Sequence, residues 1–220
     1  MSINLHKDRL LQLQQKGFFP NIIYDIGAFH GLWSREIQTI FPLADFYLFE
    51  ANEDNRNALS HQPFPFFIEL LGDEEREAVF YFTETPSSGE SLFLEQTSYF
   101  DESKVQRRML KMRTLSSVVQ KHLIPYPDMI KIDVQGAEKL IIEGSLSLIC
   151  LAEVVILETK ILEYNQGAPL IHEMIKLMTS LGYRILDVLE WHYLPTGELN
   201  EMDLLFIKNT SKFIKSGLMI

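Results

Sequence analysis

The chain has 220 residues, 46% of them apolar, with 20 Lys and Arg against 30 Asp and Glu and a formal net charge of −10. That size and apolar content predict a single α/β domain over 1–220, and the acidic balance disfavours a nucleic-acid substrate. The single cysteine, Cys150, excludes an internal disulfide and a cysteine-based zinc site, and the lack of any long apolar run predicts no membrane insertion and a cytoplasmic location.

Residues 5–16 set Leu5, Leu10, Leu11 and Leu13 among charged and amide residues. This predicts an amphipathic helix, within a helical extension over 1–19, that covers a sheet face and stops at Gly17. Ile23–Gly31 (Ile-Tyr-Asp-Ile-Gly-Ala-Phe-His-Gly) reads as a buried strand that ends at an acid, breaks into a small-residue loop and leads into a helix. In that helix Leu32, Trp33, Ile37, Ile40 and Phe41 fall mostly on one face, and Pro42 stops it. Asp45–Glu50 is the next strand, Asn52 caps a helix to Ser60, and Phe64–Leu71 is a third strand ending in a Gly72-Asp73 turn. Strands at Ala78–Phe82 and Val105–Arg113 flank a polar loop, Glu84–Ser91, of the kind that shapes ligand sites. Thr114 caps a helix through His122. The second half alternates strand 128–134, helix 137–143, strand 154–158 and helix 169–181, with Gly182 as the C′ residue. Strands at Tyr183–Leu189 and Asp203–Lys208, joined around Pro195–Gly197, form a closing hairpin. The pattern predicts an α/β fold with a mostly parallel sheet, helices on both faces and an antiparallel edge.

Gly27 admits backbone angles closed to other residues and lets a ligand approach the main chain, while Gly31 opens a helix whose first N–H groups favour a carboxylate. Asp25, at the strand end, suits an ammonium. The spacing is not G-x-G-x-x-G, since Phe29 stands between the glycines, which disfavours a pyrophosphate and a nicotinamide-dependent oxidoreductase. S-adenosylmethionine, an amino-acid-like adenosyl ligand without phosphates, suits the loop. Glu50, ending the second strand, is placed to bind ribose hydroxyls.

In Met129–Glu138 (Met-Ile-Lys-Ile-Asp-Val-Gln-Gly-Ala-Glu), Lys131 and Asp133 are two residues apart on a strand and share a face. Charges there are costly to bury unpaired. Glu158 ends another strand at the same edge, so four acids, Asp25, Glu50, Asp133 and Glu158, converge on one crevice. Their mutual repulsion would raise their pKa values and let one accept a proton near neutral pH. Asp133 and Glu158 could also hold a magnesium or manganese ion, but no compact metal motif is present and no metal is expected. His30 lies in the first loop, and His192 is the histidine best placed to face a substrate.

With these residues in view, the chain resembles the FkbM family of S-adenosylmethionine-dependent methyltransferases from about Pro20 to Lys208. The family's Asp-x-Gly-Ala-Asn-x-Gly motif appears as Asp25-Ile-Gly-Ala-Phe-His-Gly31 and its Phe-Glu-Pro strand end as Phe49-Glu50-Ala51. Its Leu-x-Asp turn is similar to Leu71-Gly72-Asp73, its Ser-Ser-Leu loop to Glu90-Ser91-Leu92, and its Thr-Leu-Asp helix start to Thr114-Leu115-Ser116. The most specific match is Lys131-Ile-Asp-Val-Gln-Gly-Ala-Glu138, and Asp203-Leu-Leu-Phe fits the last strand. Phe29 replaces the usual Asn, Ala51 the usual Pro, and Gln135 a Glu.

The resemblance implies a Rossmann-like class I methyltransferase with a seven-stranded sheet that transfers a methyl group to a hydroxyl of a sugar or natural-product small molecule. It places the cofactor against Asp25, Gly27, Ala28, Phe29, His30, Gly31, Glu50, Ala51, Asn52, Gly72, Asp73 and Asp133. Asp133 is the first choice as base, followed by Glu158 or His192, with Lys131 orienting the acid. Residues 83–104 and 164–169, bearing Phe93, Tyr99, Phe100 and Tyr164, together with Trp191, would wall the acceptor. A homo-oligomer is left open. The rival reading is a methyltransferase-like domain that binds a partner or an adenosyl ligand without turnover, and it predicts tolerance of Asp133→Asn.

Overall fold

The computed structural model describes residues 3–83, 89–95 and 105–214. An eight-stranded sheet runs in the order β4 (Phe66–Ile68), β3 (Asp45–Glu50), β2 (Ile22–Ile26), β8 (Met129–Ile132), β9 (Val154–Lys160), β11 (Leu199–Lys208), β10 (Tyr183–Tyr193), β1 (Ile3–Asn4). The strands from β4 to β9 are parallel. Strand β11 is antiparallel to both neighbours, and β1 is antiparallel to β10. Strand β2 is followed by β3 on one side and flanked by β8 on the other, so the order reverses there and opens a crevice at the C-terminal edge.

Apolar β-branched runs make the central strands, and every residue of β9 is buried. On one face, Tyr24, Ile130, Val155 and Leu204 pack against helices α4 (Leu115–His122), α5 (Glu138–Gly144), α6 (Leu146–Ile149) and α7 (Ile171–Ser180). On the other, Ile23, Phe46, Met129, Ile156 and Leu205 meet α1 (His6–Gln15), α2 (Leu32–Gln38) and α3 (Arg56–Leu59). A smaller sheet, β5 (Leu70–Leu71), β7 (Val105–Arg113) and β6 (Arg76–Thr83), carries its own apolar cluster around Phe80, Phe82 and Met112.

Several boundaries differ from the sequence expectation. The seven strands expected in the main sheet are joined by β1. The expected strand 64–71 divides: β4 stays with β3, whereas Leu70 and Leu71 turn away to pair with Met112 and Arg113. Leu32 is 65% exposed because α2 begins at that residue, ahead of its buried stripe. The hairpin strands run longer than expected and carry bulges, one of which skips Leu189 between the pairs Val188–Leu204 and Glu190–Asp203. Thr114 caps α4 as expected, its Oγ1 accepting from the Ser117 N–H at 3.1 Å. Asn52 Oδ1 accepts from the Asp54 N–H at 3.0 Å, although the first turn it caps is a 3₁₀ turn. Tyr99, Phe100 and most of the expected loop 83–104 lie outside the described residues.

Candidate active site

On the face that carries Ile23, the apolar residues give way to charges at the C-terminal edge of strand after strand. Two residues beyond Ile23 stands Asp25, beyond Leu48 Glu50, beyond Met129 Lys131 and then Asp133, and beyond Ile156 Glu158 and then Lys160. Strand β11 runs the other way and brings Glu201 and Asp203 to this edge before Leu205. A two-residue side-chain period and an apolar-to-polar gradient along each strand thus gather the ionisable groups.

Below this edge lies a cavity of about 250 Å³, bounded by the 25–30 loop, Glu50 and Ala51, Lys131 and Asp133. Its apolar wall comes from Leu70, Leu71, Phe80, Leu92 and Ile141, and its third side from Trp33, Ser91 and Gln135. The loop uses its amides internally: Gly27 and Ala28 donate to the Phe49 carbonyl at 2.9 and 3.0 Å, and Phe29 donates to Glu50 Oε2 at 2.8 Å. Its main chain therefore shapes the cavity and positions Glu50. Gly27, at φ 79°, is pressed against the chain that leaves β8, where an added Cβ would lie 1.8 Å from the Asp133 carbonyl oxygen. Phe29 holds the left-handed region at φ 49°, where the family's usual Asn sits at lower cost, and its ring stacks on His30 at 3.7 Å.

Glu50 takes one backbone N–H on each oxygen, Phe29 on Oε2 and Asn52 on Oε1, both at 2.8 Å. Burial pushes its carboxyl up, and these bonds counter that only in part. Fully buried Asp25 accepts from Ser34 Oγ at 2.6 Å, while its Oδ1 has no hydrogen-bond partner among the described residues and lies 3.8 Å from Lys131 Nζ. Burial raises Asp25 as well, with the Lys131 charge and Ser34 pulling it part of the way back. Lys131 Nζ donates to Asp133 Oδ2 at 2.8 Å. Burial works against the Lys131 charge, but Asp133 and Asp25 outweigh it and raise its pKa. Burial likewise works to raise Asp133, yet Lys131 holds it below the usual carboxylate range. The acids do not all rise together, since the lysine between Asp25 and Asp133 separates their behaviour.

Of the expected cofactor residues, Asp25, Gly27, Ala28, Phe29, His30, Glu50, Ala51 and Asp133 line the cavity, and Lys131 lines it with them. Gly31, Asn52, Gly72 and Asp73 do not. A Cβ at Gly31 would meet Gln62 and Leu48, and one at Gly72 would meet Met112 Sδ at 2.2 Å, so both glycines serve packing. Asp73 pairs with Arg76 at 3.5 Å. Glu158 and His192 also stand off the cavity: His192 faces Glu190 at 3.2 Å, and Glu158 reaches Asp133 only through Gln135, whose Nε2 lies 3.0 Å from Glu158 Oε1 and 3.3 Å from Asp133 Oδ1. Burial and the Asp133 charge raise Glu158 well above the usual carboxylate range, with Lys160 opposing.

Lys160, Glu201, Trp33 and His6 were not among the expected site residues, and Tyr164 was expected as part of an acceptor wall. Lys160 Nζ donates to Glu158 at 2.6 Å, Glu201 at 2.7 Å and Gln135 Oε1 at 2.9 Å, with Tyr164 beside it. The spacing that singled out Lys131 and Asp133 also relates Glu158 to Lys160, so this pair was findable. His6 continues the buried stripe of Leu10 and Leu13 on α1. Its Nε2 lies 2.8 Å from Asp203 Oδ2 and 3.7 Å from Glu190 Oε2, a grouping with the donor types for a divalent metal. Trp33 Nε1, which can only donate, points at His6 Nδ1 at 3.1 Å, so Nδ1 is unprotonated and the imidazole proton sits on Nε2, where a metal would have to bind. The donor set thus fits a hydrogen-bonded histidine better than a metal ligand.

A switch-point crevice, a shaped loop after the first parallel strand and an acid held by main-chain amides at the end of the second define a class I methyltransferase site on a Rossmann-like fold. The methyltransferase FkbM domain matches residues 25–185. This protein belongs to the FkbM methyltransferase family, whose methyl donor is S-adenosylmethionine. No curated protein matches it by sequence. Among solved structures it is similar to the plantazolicin methyltransferase BamL, crystallised with a desmethyl plantazolicin analogue and S-adenosylhomocysteine, at TM-score 0.53 and 10% identity over 93% of this chain and 83% of that one. It is also similar to magnesium protoporphyrin IX methyltransferase from Synechocystis PCC 6803, with bound S-adenosylmethionine, at TM-score 0.51 and 13% identity over 92% and 78%. Among the described residues no helix is long and apolar enough to cross a membrane.

Proposed function

We propose that this methyltransferase acts on a hydroxyl oxygen of a small molecule, a sugar or a hydroxylated natural product, within one domain, and that Asp133 receives the hydroxyl proton. The supporting observation is the Lys131–Asp133 pair at 2.8 Å on the cavity wall, with the Asp133 side chain 30% accessible at the edge where an acceptor would enter. S-adenosylmethionine supplies a methyl carbon already activated by its sulfonium. The residues fit that group: Glu50 keeps lone pairs for ribose hydroxyls, Asp25 Oδ1 is a buried acceptor without a hydrogen-bond donor among the described residues, and Leu70, Leu71 and Phe80 offer an apolar wall for a purine. Lys131 keeps Asp133 ionised, so the carboxylate orients the acceptor O–H and takes its proton as the new C–O bond forms and the C–S bond breaks. The net charge of −10 favours a small acceptor over a polyanion.

Calorimetric titration with S-adenosylhomocysteine, with NAD in parallel and Asp25→Ala and Glu50→Ala as controls, tests the cofactor assignment. An acceptor screen with isotope-labelled methyl donor then tests the chemistry. Asp133→Asn should abolish turnover on any acceptor found while cofactor binding persists. Undiminished turnover in that variant would remove Asp133 as the base, and cofactor binding with no turnover across the screen would favour the binding-domain reading.

A further inference from the structure

The family match begins at residue 25, yet a residue well before it is joined to the cofactor cavity. His6, at the start of α1, is 2% exposed and stands edge-on to Trp33, ring centroids 6.3 Å apart and planes at 83°. Its Nδ1 accepts the Trp33 N–H at 3.1 Å, and its Nε2–H points at Asp203 Oδ2 at 2.8 Å. The carboxylates of Asp203 and Glu190 therefore fix the tautomer that leaves Nδ1 free to accept from the indole. On the far side, Trp33 lines the cavity, and Lys131 Nζ sits 5.5 Å from its ring centroid. That ammonium is the one that reaches Asp133 at 2.8 Å and Asp25 at 3.8 Å.

We propose that His6 is a positioning residue of the cofactor cavity, acting through the indole of Trp33. Strand β11 supplies the carboxylate, α1 the imidazole and α2 the indole, so three elements close one side of the cavity through two directional hydrogen bonds. Without the acceptor at Nδ1, the indole is free to take other rotamers, and both the wall and the cation–π contact to Lys131 loosen. This inference rests on the cofactor cavity and not on the nature of the acceptor.

The test is a double-mutant cycle read by S-adenosylhomocysteine titration and by Trp33 emission in a Trp191→Phe background, where Trp33 is the sole tryptophan. His6→Ala should weaken binding about fivefold, the scale of one lost hydrogen bond, and shift the Trp33 emission. Trp33→Phe should cost at least as much, and His6→Ala added to Trp33→Phe should cost nothing further. His6→Asn, whose Oδ1 falls near the place of Nδ1, should restore affinity to within about twofold and return the emission to that of the parent. Additive losses, wild-type affinity in His6→Ala, or an Asn variant as weak as Ala would each overturn the proposal. Should His6→Ala not fold, an altered Trp33 emission in folded His6→Asn would overturn it equally. Failure of the unmutated protein to bind would count against the cofactor assignment alone, and the emission comparison would still decide the His6 link.

Discussion

Replacing Lys131 by Met removes the cation that stands between two carboxylates while keeping an unbranched side chain one atom shorter. With Lys131 Nζ 2.8 Å from Asp133 and 3.8 Å from Asp25, and an effective dielectric of about 20, the gross attractions are roughly 6 and 4 kcal/mol. Release of a buried ammonium offsets part of this, and breaking a buried pair typically leaves a net loss of about 3–5 kcal/mol. The loss should depend on pH with a definite sign. The Asp25 carboxyl is already raised by burial, and it rises further once Lys131 is gone. An acid whose folded pKa lies above its unfolded value favours the folded state below the unfolded pKa, and that contribution is lost as pH climbs through the folded value. Urea unfolding of Lys131→Met should therefore show a larger deficit against wild type at pH 8 than at pH 5, and Asp25→Asn added to it should recover part of the pH 8 deficit. An equal deficit at both pH values would show that packing rather than charge accounts for the loss.

Gly27→Ala meets a backbone carbonyl at 1.8 Å from a positive φ, and should cost about 3 kcal/mol or more while abolishing S-adenosylhomocysteine binding, as melting and calorimetry would show. Phe29→Asn places a residue tolerant of the left-handed region at φ 49° and should stabilise the fold by up to about 1 kcal/mol, less what the His30 stack contributes, measured as a rise in Tm. Glu50→Gln turns an acceptor into a donor facing either the Phe29 or the Asn52 N–H. It should cost about 1–3 kcal/mol of stability and at least about tenfold in cofactor affinity, both read from the same purified sample.

The parallel half of the sheet and the loop that leaves β2 were legible because their signals are local: a buried run, an acid and a glycine follow one another between Ile23 and Gly31. The Lys131–Asp133 pair was legible for the same reason, since a separation of two on a strand fixes a common face. What escaped notice depends on contacts distant in sequence. Gly72 stands in a motif, but its lack of a side chain answers to Met112, some forty positions on. His6 reads as one more polar residue of an amphipathic helix until Trp33 and Asp203 come to either side of it. Asp133 was expected to join a group of mutually raised acids, but the sequence does not show that Lys131 lies between Asp25 and Asp133 while Gln135 bridges to Glu158.

The skipped Leu189 also governs chain-length tolerance. Val188 lies opposite Leu204 on the apolar face that meets α7, and regular pairing would set Glu190 against Met202 on that same face. The extra residue turns Leu189 and Glu190 toward one side, so that a buried leucine and a carboxylate opposite Asp203 follow each other in the chain. Deleting Leu189 would leave Val188 opposite Leu204 and Glu190 opposite Asp203 in regular alternation, yet it would take a fully buried leucine out of the core beside α1. This hairpin should therefore accept substitutions more readily than deletions, and homologues of different length should add or lose their residues in the Pro195–Gly197 turn.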